Sequence, residues 1–261
     1  MPISGSQKLP LIIGHRGASR EAPENTLESF RLAWSHGADG IEADFRLTAD
    51  GAILCMHDAS TGRTTCEDLE IAASTAKELR RLDAGAWKGS AWSGAGIPTL
   101  DEVLAAVPPG TWFFIELKSG VEIIAPLKRA LQRSGVAPER IRLLSFNAPL
   151  IAELTRYLPD WDACLLCDCR HSLMSNRRRP SRADVLEMLT HTGACGVASA
   201  DRAFLDRDLV DALKDLGKEI HAWTVDRPSN AQRLCNLGVD SITTNRPGWL
   251  RQKLAAEENL S

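Results

Sequence analysis

Short apolar runs alternate with amphipathic stretches along the whole chain. The apolar runs predict β-strands near 11–14, 40–47, 112–118, 141–146, 162–167, 195–199, 219–225 and 240–244. Helical periodicity follows each of them, near 25–36, 99–107, 121–135, 148–158, 182–192, 206–216, 228–237 and 248–257. The joints repeat one chemistry: a helix, a glycine, a few polar residues and an apolar run, as in "HTGACGVASA", "DLGKEIHAWTV" and "NLGVDSITT". Glycine at a helix C-terminus takes the left-handed turn at low steric cost, so each joint marks a helix handing over to a strand.

Eight β/α units in a chain of 261 residues match an α/β fold of the TIM (β/α)8 class. A doubly wound open sheet is the competing architecture, but no GxGxxG fingerprint follows the first strand. One domain over 1–261 is therefore expected. The spacing has one irregularity, since the second and third strands start near 40 and 112. "LTADGAILCMHD" reads as a hairpin with Asp50-Gly51 as a two-residue turn, and an inserted segment, 58–97, follows. An insertion after a barrel strand lies on the face where active sites are built, so a wall or lid is expected, with a plain surface excursion as the rival reading.

Composition narrows the classes. The 44% hydrophobic content supports a large core, while a net charge of -3 and a pI near 6.1 remove any global argument for nucleic-acid binding. No stretch approaches 18 consecutive apolar residues, and the first ten residues carry no apolar leader, so no membrane insertion is expected. Seven cysteines, an odd number spread through apolar runs, suit reduced thiols and a cytoplasmic location. The oligomeric state is not written in these features.

The candidate chemistry sits at strand ends. In Gly40-Ile41-Glu42-Ala43-Asp44-Phe45, alternation turns Glu42 and Asp44 to one face, the barrel interior. "WFFIELK" adds Glu116, with Lys118 on the same face. Three acids without Cys or His form an oxygen-rich set suited to one divalent cation, Mg2+ or Ca2+, rather than Zn2+. The alternative is that each acid pairs with Arg or Lys and only stabilises the barrel.

His15 ends the first strand and His57 ends the hairpin after the second, so the two can serve as a general acid and base pair. Arg16 and Lys118 supply local positive charge, and together these residues describe a site for a phosphate ester bound to a dication. Asn25 reads as a helix N-cap with Glu28 in capping-box position, which leaves Glu24 without a role. Trp223 in "HAWTVDRP" faces either the barrel mouth or a packed helix. "CLLCDCRH" is not read as a zinc knuckle, because Cys164 and Cys167 alternate onto opposite faces of a strand. "NRRRP" at 176–180 is read as a solvated basic loop, with attraction of anionic substrate or lipid head groups as the rival reading.

The segments "GHRGASREAPENTLESF", "GADGIEADFRLTADGAILCMHD", "GRTTC", "IPTLDEVL", "FFIELK", "HAWTV" and "GVDSITTNRP" together resemble the bacterial glycerophosphodiester phosphodiesterases, in order and over nearly the whole chain. The resemblance implies a barrel that hydrolyses small glycerophosphodiesters to sn-glycerol 3-phosphate and an alcohol. It implies metal binding by Glu42, Asp44 and Glu116, acid–base roles for His15 and His57, and phosphate binding by Arg16 and Lys118. It places Trp223 near the glycerol. The rival readings are a phospholipase D-like enzyme acting on lysolipid or sphingolipid, kept open by Trp87 and Trp92, and a non-catalytic ligand-binding barrel.

Overall fold

The computed structural model describes residues 9–171 and 178–258. Eight parallel strands close into a barrel: β1 (Leu11–His15), β2 (Gly40–Leu47), β4 (Trp112–Leu117), β5 (Ile141–Ser145), β6 (Asp162–Cys167), β9 (Gly196–Ala200), β10 (Glu219–Trp223) and β11 (Ser241–Thr244). Pairing runs around the ring in chain order, and β1 closes it by pairing with both β2 and β11. The expected barrel therefore forms, and each strand lies within a residue or two of the apolar run that predicts it.

Among the described residues, three further strands lie outside the ring. β3 (Ile53–Cys55) pairs antiparallel with β2, and β7 (Arg170–His171) pairs with β8 (Arg178–Arg179). The "NRRRP" reading falls largely outside the described residues.

Side chains alternate along each strand, which divides the molecule into an outer and an inner core. Ile41, Ala43, Phe45, Phe113 and Ile115 point outward into the main apolar cluster. The same cluster takes in buried residues of the helices α1 (Leu27–Ser35), α3 (Leu100–Ala106), α4 (Ile124–Ser134), α5 (Ala148–Tyr157), α6 (Arg182–Thr192), α7 (Arg207–Asp215), α8 (Pro228–Leu237) and α9 (Pro247–Glu258). Ile13, Phe114, Leu144, Cys164, Leu166 and Ala198 fill the barrel axis. Cys164 faces inward while Cys167 packs outward, so the two do not share a site.

Below this plug Arg142 crosses the floor from β5 to β10. It grips Glu219 at 2.6 and 2.7 Å and also contacts Asp162. The inward positions of β2 and β4 are apolar or aromatic toward the floor and acidic toward the C-terminal mouth, and the site follows from that division.

Two local expectations are corrected. Asn25 does not cap α1: Thr26 does, with extended backbone and its hydroxyl accepting from Ser29 N at 3.3 Å, and no capping box involves Glu28. The β2–β3 hairpin does not use a two-residue Asp50-Gly51 turn. Gly51 N donates to Thr48 O and only Gly51 has positive φ, whereas a type I′ turn needs it at both central residues. The glycine caps are found at Gly135, Gly193 and Gly238, all left-handed.

The 58–97 segment holds the short helix α2 (Ala76–Leu79), and its own apolar cluster includes Ile71, Leu79, Leu82 and Ile97 packed on Leu54 and Met56. Lys88 ties it to the loop after β1 by donating to Ser19 O at 2.6 Å.

Candidate active site

A cavity of about 290 Å³ opens at the C-terminal mouth of the barrel. His15, Arg16, Glu42, His57, Glu116, Lys118 and Trp223 line it, and Asp44 lies fully buried against Arg16 and Lys118. The structure thus brings all eight sequence-derived candidates together from β1, β2, β3, β4 and β10.

The chain reaches this geometry through an unusual turn. Arg16 has φ 54° and Gly17 has φ 84°, and a Cβ on Gly17 would stand 2.2 Å from Ser29 Oγ. Only glycine lets the loop press against α1 there. Ser29 Oγ donates to Arg16 O at 2.8 Å, and Arg16 N donates to Glu42 Oε2 at 3.0 Å.

Asn25 also has positive φ, 58°, which asparagine tolerates better than most residues. Its amide clasps Asp44: Nδ2 donates to Oδ2 at 2.9 Å and Oδ1 accepts from Asp44 N at 3.2 Å. This residue holds a site carboxylate rather than a helix end.

Oxygens of Glu42, Asp44 and Glu116 lie within 4.8 Å of one another. Lys118 contacts both Asp44, at 3.1 Å, and Glu116, and Arg16 Nε is 3.1 Å from Asp44 Oδ2. Three carboxylates therefore face two cations. Glu42 Oε1 is buried and has no hydrogen-bond partner among the described residues. An excess negative charge, an orphaned buried oxygen and an all-oxygen donor set fit a hard divalent cation.

The titration behaviour follows the same crowding. Burial, then repulsion from Asp44 and Glu116, pushes Glu42 well up. Burial and Asp44 raise Glu116 to about 7. Burial also opposes ionisation of Asp44, but Lys118 and Arg16 outweigh it and hold that carboxylate well below the usual range.

The two histidines differ in their partners. His15 Nδ1 lies 2.7 Å from Asn245 Oδ1, a carbonyl-type acceptor, so Nδ1 carries the hydrogen. Asn245 is itself anchored by Asp226. Burial and the neighbouring Arg16 lower His15 to about 4. His57 Nδ1 lies 2.7 Å from Asp58 Oδ1, and burial likewise lowers its pKa, with Asp44 and Asp58 pulling the other way.

The far wall is different in character. Trp223 donates Nε1–H to Ala198 O at 2.9 Å and meets the half-exposed Phe146 edge to face at 5.6 Å. Asp168 and Arg202 pair at 2.5 Å beside them. Sequence reasoning assigned no role to Phe146, Asp168, Arg202, Asn245, Asp58 or Arg63. "GRTTC" and "TTNRP" were the available signals for Arg63 and Asn245, but nothing local in either says what it touches.

A parallel barrel whose mouth gathers three acids, two histidines, Arg16 and Lys118 has the make-up of a phosphodiester hydrolase with a candidate cation site. The comparisons narrow this further. The chain belongs to the glycerophosphoryl diester phosphodiesterase family, whose model matches residues 15–249. A glycerophosphodiester phosphodiesterase of Caldanaerobacter subterraneus is 32% identical over 244 residues, covering 92% of this chain and 96% of the relative. Among solved structures, an Oleispira antarctica phosphodiesterase in complex with the product sn-glycerol-3-phosphate is 29% identical. It superposes with a TM-score of 0.83 over 95% of this chain and 97% of its own. A putative glycerophosphoryl diester phosphodiesterase from Silicibacter pomeroyi, 25% identical, gives 0.84 over 97% and 95%.

Proposed function

We propose that this chain hydrolyses glycerophosphodiesters, such as glycerophosphocholine or glycerophosphoethanolamine, to sn-glycerol 3-phosphate and an alcohol. One divalent cation, Mg2+ or Ca2+, is held by Glu42, Asp44 and Glu116. The observation that carries the reading is the convergence of these carboxylates, with the orphaned Glu42 Oε1, on one cavity with His15, His57, Arg16 and Lys118. Family membership and the product named for the Oleispira structure support the substrate class.

When bound, the cation supplies Lewis-acid stabilisation of charge on the phosphoryl oxygens. Arg16 and Lys118 add fixed positive charge on the same side, where it acts in a partly desolvated cavity. His15 is the general base. Its Nδ1–H is committed to Asn245, and its low pKa keeps Nε2 unprotonated at neutral pH, so it removes the proton from the nucleophile, either water or the glycerol 2-hydroxyl, the latter leaving a cyclic phosphate that water then opens. His57 is the general acid: it delivers a proton to the departing alkoxide, and the Asp58 carboxylate offsets part of the burial that disfavours its protonated form. Trp223 and Phe146 present an apolar wall to the carbon skeleton of the substrate.

No described helix is long and apolar enough to cross a membrane. We place the activity in the cytoplasm, a reading supported by the spread of free cysteines.

The test incubates the protein with glycerophosphocholine and, separately, with micellar lysophosphatidylcholine, follows choline release from both with choline oxidase, and follows sn-glycerol 3-phosphate from the soluble diester with its dehydrogenase. The expected result is product from the soluble diester, loss of activity with a chelator and recovery with Mg2+ or Ca2+. Hydrolysis confined to the micellar lipid would overturn the substrate class.

A further inference from the structure

We propose that Arg63, in the 58–97 segment, is a positioning residue that sets His57 through Asp58 and Arg16 through Glu24. The proposal rests on the reading of the site given above. It also gives Glu24 the role that its sequence context did not reveal.

Each kind of donor on the Arg63 guanidinium is used on a carboxylate. Nε donates to Asp58 Oδ2 at 2.5 Å, while Nη1 and Nη2 donate to Glu24 Oε2 and Oε1 at 2.9 and 2.7 Å. Each carboxylate also reaches one residue of the cavity wall. Asp58 Oδ1 meets His57 Nδ1 at 2.7 Å, and Glu24 Oε1 accepts from Arg16 Nη1 at 2.8 Å. A single planar fork therefore spans two side chains that arise from different strands, one after β1 and one after β3.

Stability accounts for only part of this arrangement. The Arg63 and Asp58 side chains are 45% and 34% exposed, and a pair this open to water contributes little to folding, whereas Glu24, 14% exposed and gripped by two bonds, gains more from the same fork. What the fork does well is fix angles. Two parallel bonds to Glu24 and one sideways bond to Asp58 hold both carboxylates in one geometry, which the point charge of a lysine cannot reproduce.

The consequences differ for the two arms. An Asp58 held from behind keeps the His57 ring turned so that Nε2, rather than Nδ1, gives its proton to the leaving oxygen. A Glu24 held from behind keeps Arg16 Nη1 occupied, and Asp44 lies against Nε, which leaves Nη2 to meet a phosphate oxygen. Small errors in the orientation of either group cost rate, because proton transfer and phosphate binding both depend on alignment.

The arms separate by leaving group. Choline departs as a poor leaving group and needs the proton from His57; p-nitrophenolate does not. The experiment compares Arg63→Ala, Asp58→Asn and Glu24→Gln on glycerophosphocholine and on the p-nitrophenyl ester of sn-glycerol 3-phosphate, with melting temperature recorded for each. Arg63→Ala is expected to lose on the order of 10²-fold in kcat/KM on the choline ester and about tenfold on the p-nitrophenyl ester. Asp58→Asn reproduces the part specific to choline, Glu24→Gln reproduces the part common to both as a raised KM, and Arg63→Lys does not restore either.

Equal losses on the two esters, a loss under about threefold on both, or full rescue by Arg63→Lys would each overturn the proposal. Glu42→Ala is the separate control. Undiminished turnover there removes the reading of the site, whereas a dead Glu42→Ala with an indifferent Arg63→Ala removes the positioning role alone.

Discussion

Replacing Asn25 by alanine removes three things at once, and the structure allows each to be weighed. Asn25 is 4% exposed and sits at φ 58°, where a side chain without a local polar partner costs about 1 kcal/mol or more. Its Oδ1 satisfies Asp44 N–H at 3.2 Å, and a buried donor left unpaired costs about 1–3 kcal/mol. Its Nδ2 also steadies Asp44 Oδ2 at 2.9 Å. The expected destabilisation is about 2–4 kcal/mol, or a fall in melting temperature of about 5–10 °C for a chain of this size.

Glycine at the same position separates the causes. Asn25→Gly loses the same hydrogen bonds but accepts the backbone conformation, so it should melt above Asn25→Ala by about 1 kcal/mol equivalent. Calorimetry of the metal-free proteins, paired with cation titrations, reads both effects. Both variants should bind the cation more weakly, because Asp44 loses its amide clasp. An alanine variant that melts within a degree of the parent, or a glycine variant no better than alanine, would refute the reasoning.

Further outcomes follow from the same geometry. Glu116 is raised to about 7, so in the metal-free protein it carries a proton between pH 4.5 and 7 that the unfolded chain lacks; its contribution to stability is present below about 4.5 and is lost as pH rises through 7. Cation binding must expel that proton and any carried by Glu42, so affinity should rise by at least about tenfold per pH unit over that window, and calorimetry in buffers of different ionisation enthalpy should show proton release. A flat affinity from pH 5.5 to 7 would contradict it. Asn245→Ala deprives His15 of its Nδ1 acceptor and should lower kcat about tenfold or more with little change in KM, as read by steady-state kinetics. Arg142→Ala removes the two-bond grip on Glu219, which keeps His221 at 3.1 Å and is partly open to water, and should cost about 2–3 kcal/mol by thermal melting while kcat at the opposite mouth is unchanged.

The legible and illegible parts of the chain divide by distance along it. The barrel could be read because each β/α unit writes its own period and its own glycine stop. The acidic centre could be read because Glu42 and Asp44 are two residues apart on one strand, where alternation alone puts them on one face. Asn25 was misread as a cap because Asn and Thr are both good N-caps and stand side by side. What separates them is a bond from Asn25 to Asp44, on another element. Glu24, Arg63 and Asn245 stayed without partners for the same reason: Arg63 reaches back 39 residues to Glu24, and Asn245 reaches 230 residues to His15. The hairpin turn was misread because a glycine in the left-handed region suits more than one turn type, and the choice fell to the register of β2 on β3.

The most direct test of the account is a titration of the metal-stripped protein with Mg2+ or Ca2+, following bound cation and the rate of sn-glycerol 3-phosphate release from glycerophosphocholine in the same samples. The account predicts that the rate rises in proportion to occupancy, saturates at one cation per chain, and is abolished together with binding in Glu42→Ala. A rate that is independent of the cation, or that survives in Glu42→Ala, would contradict it.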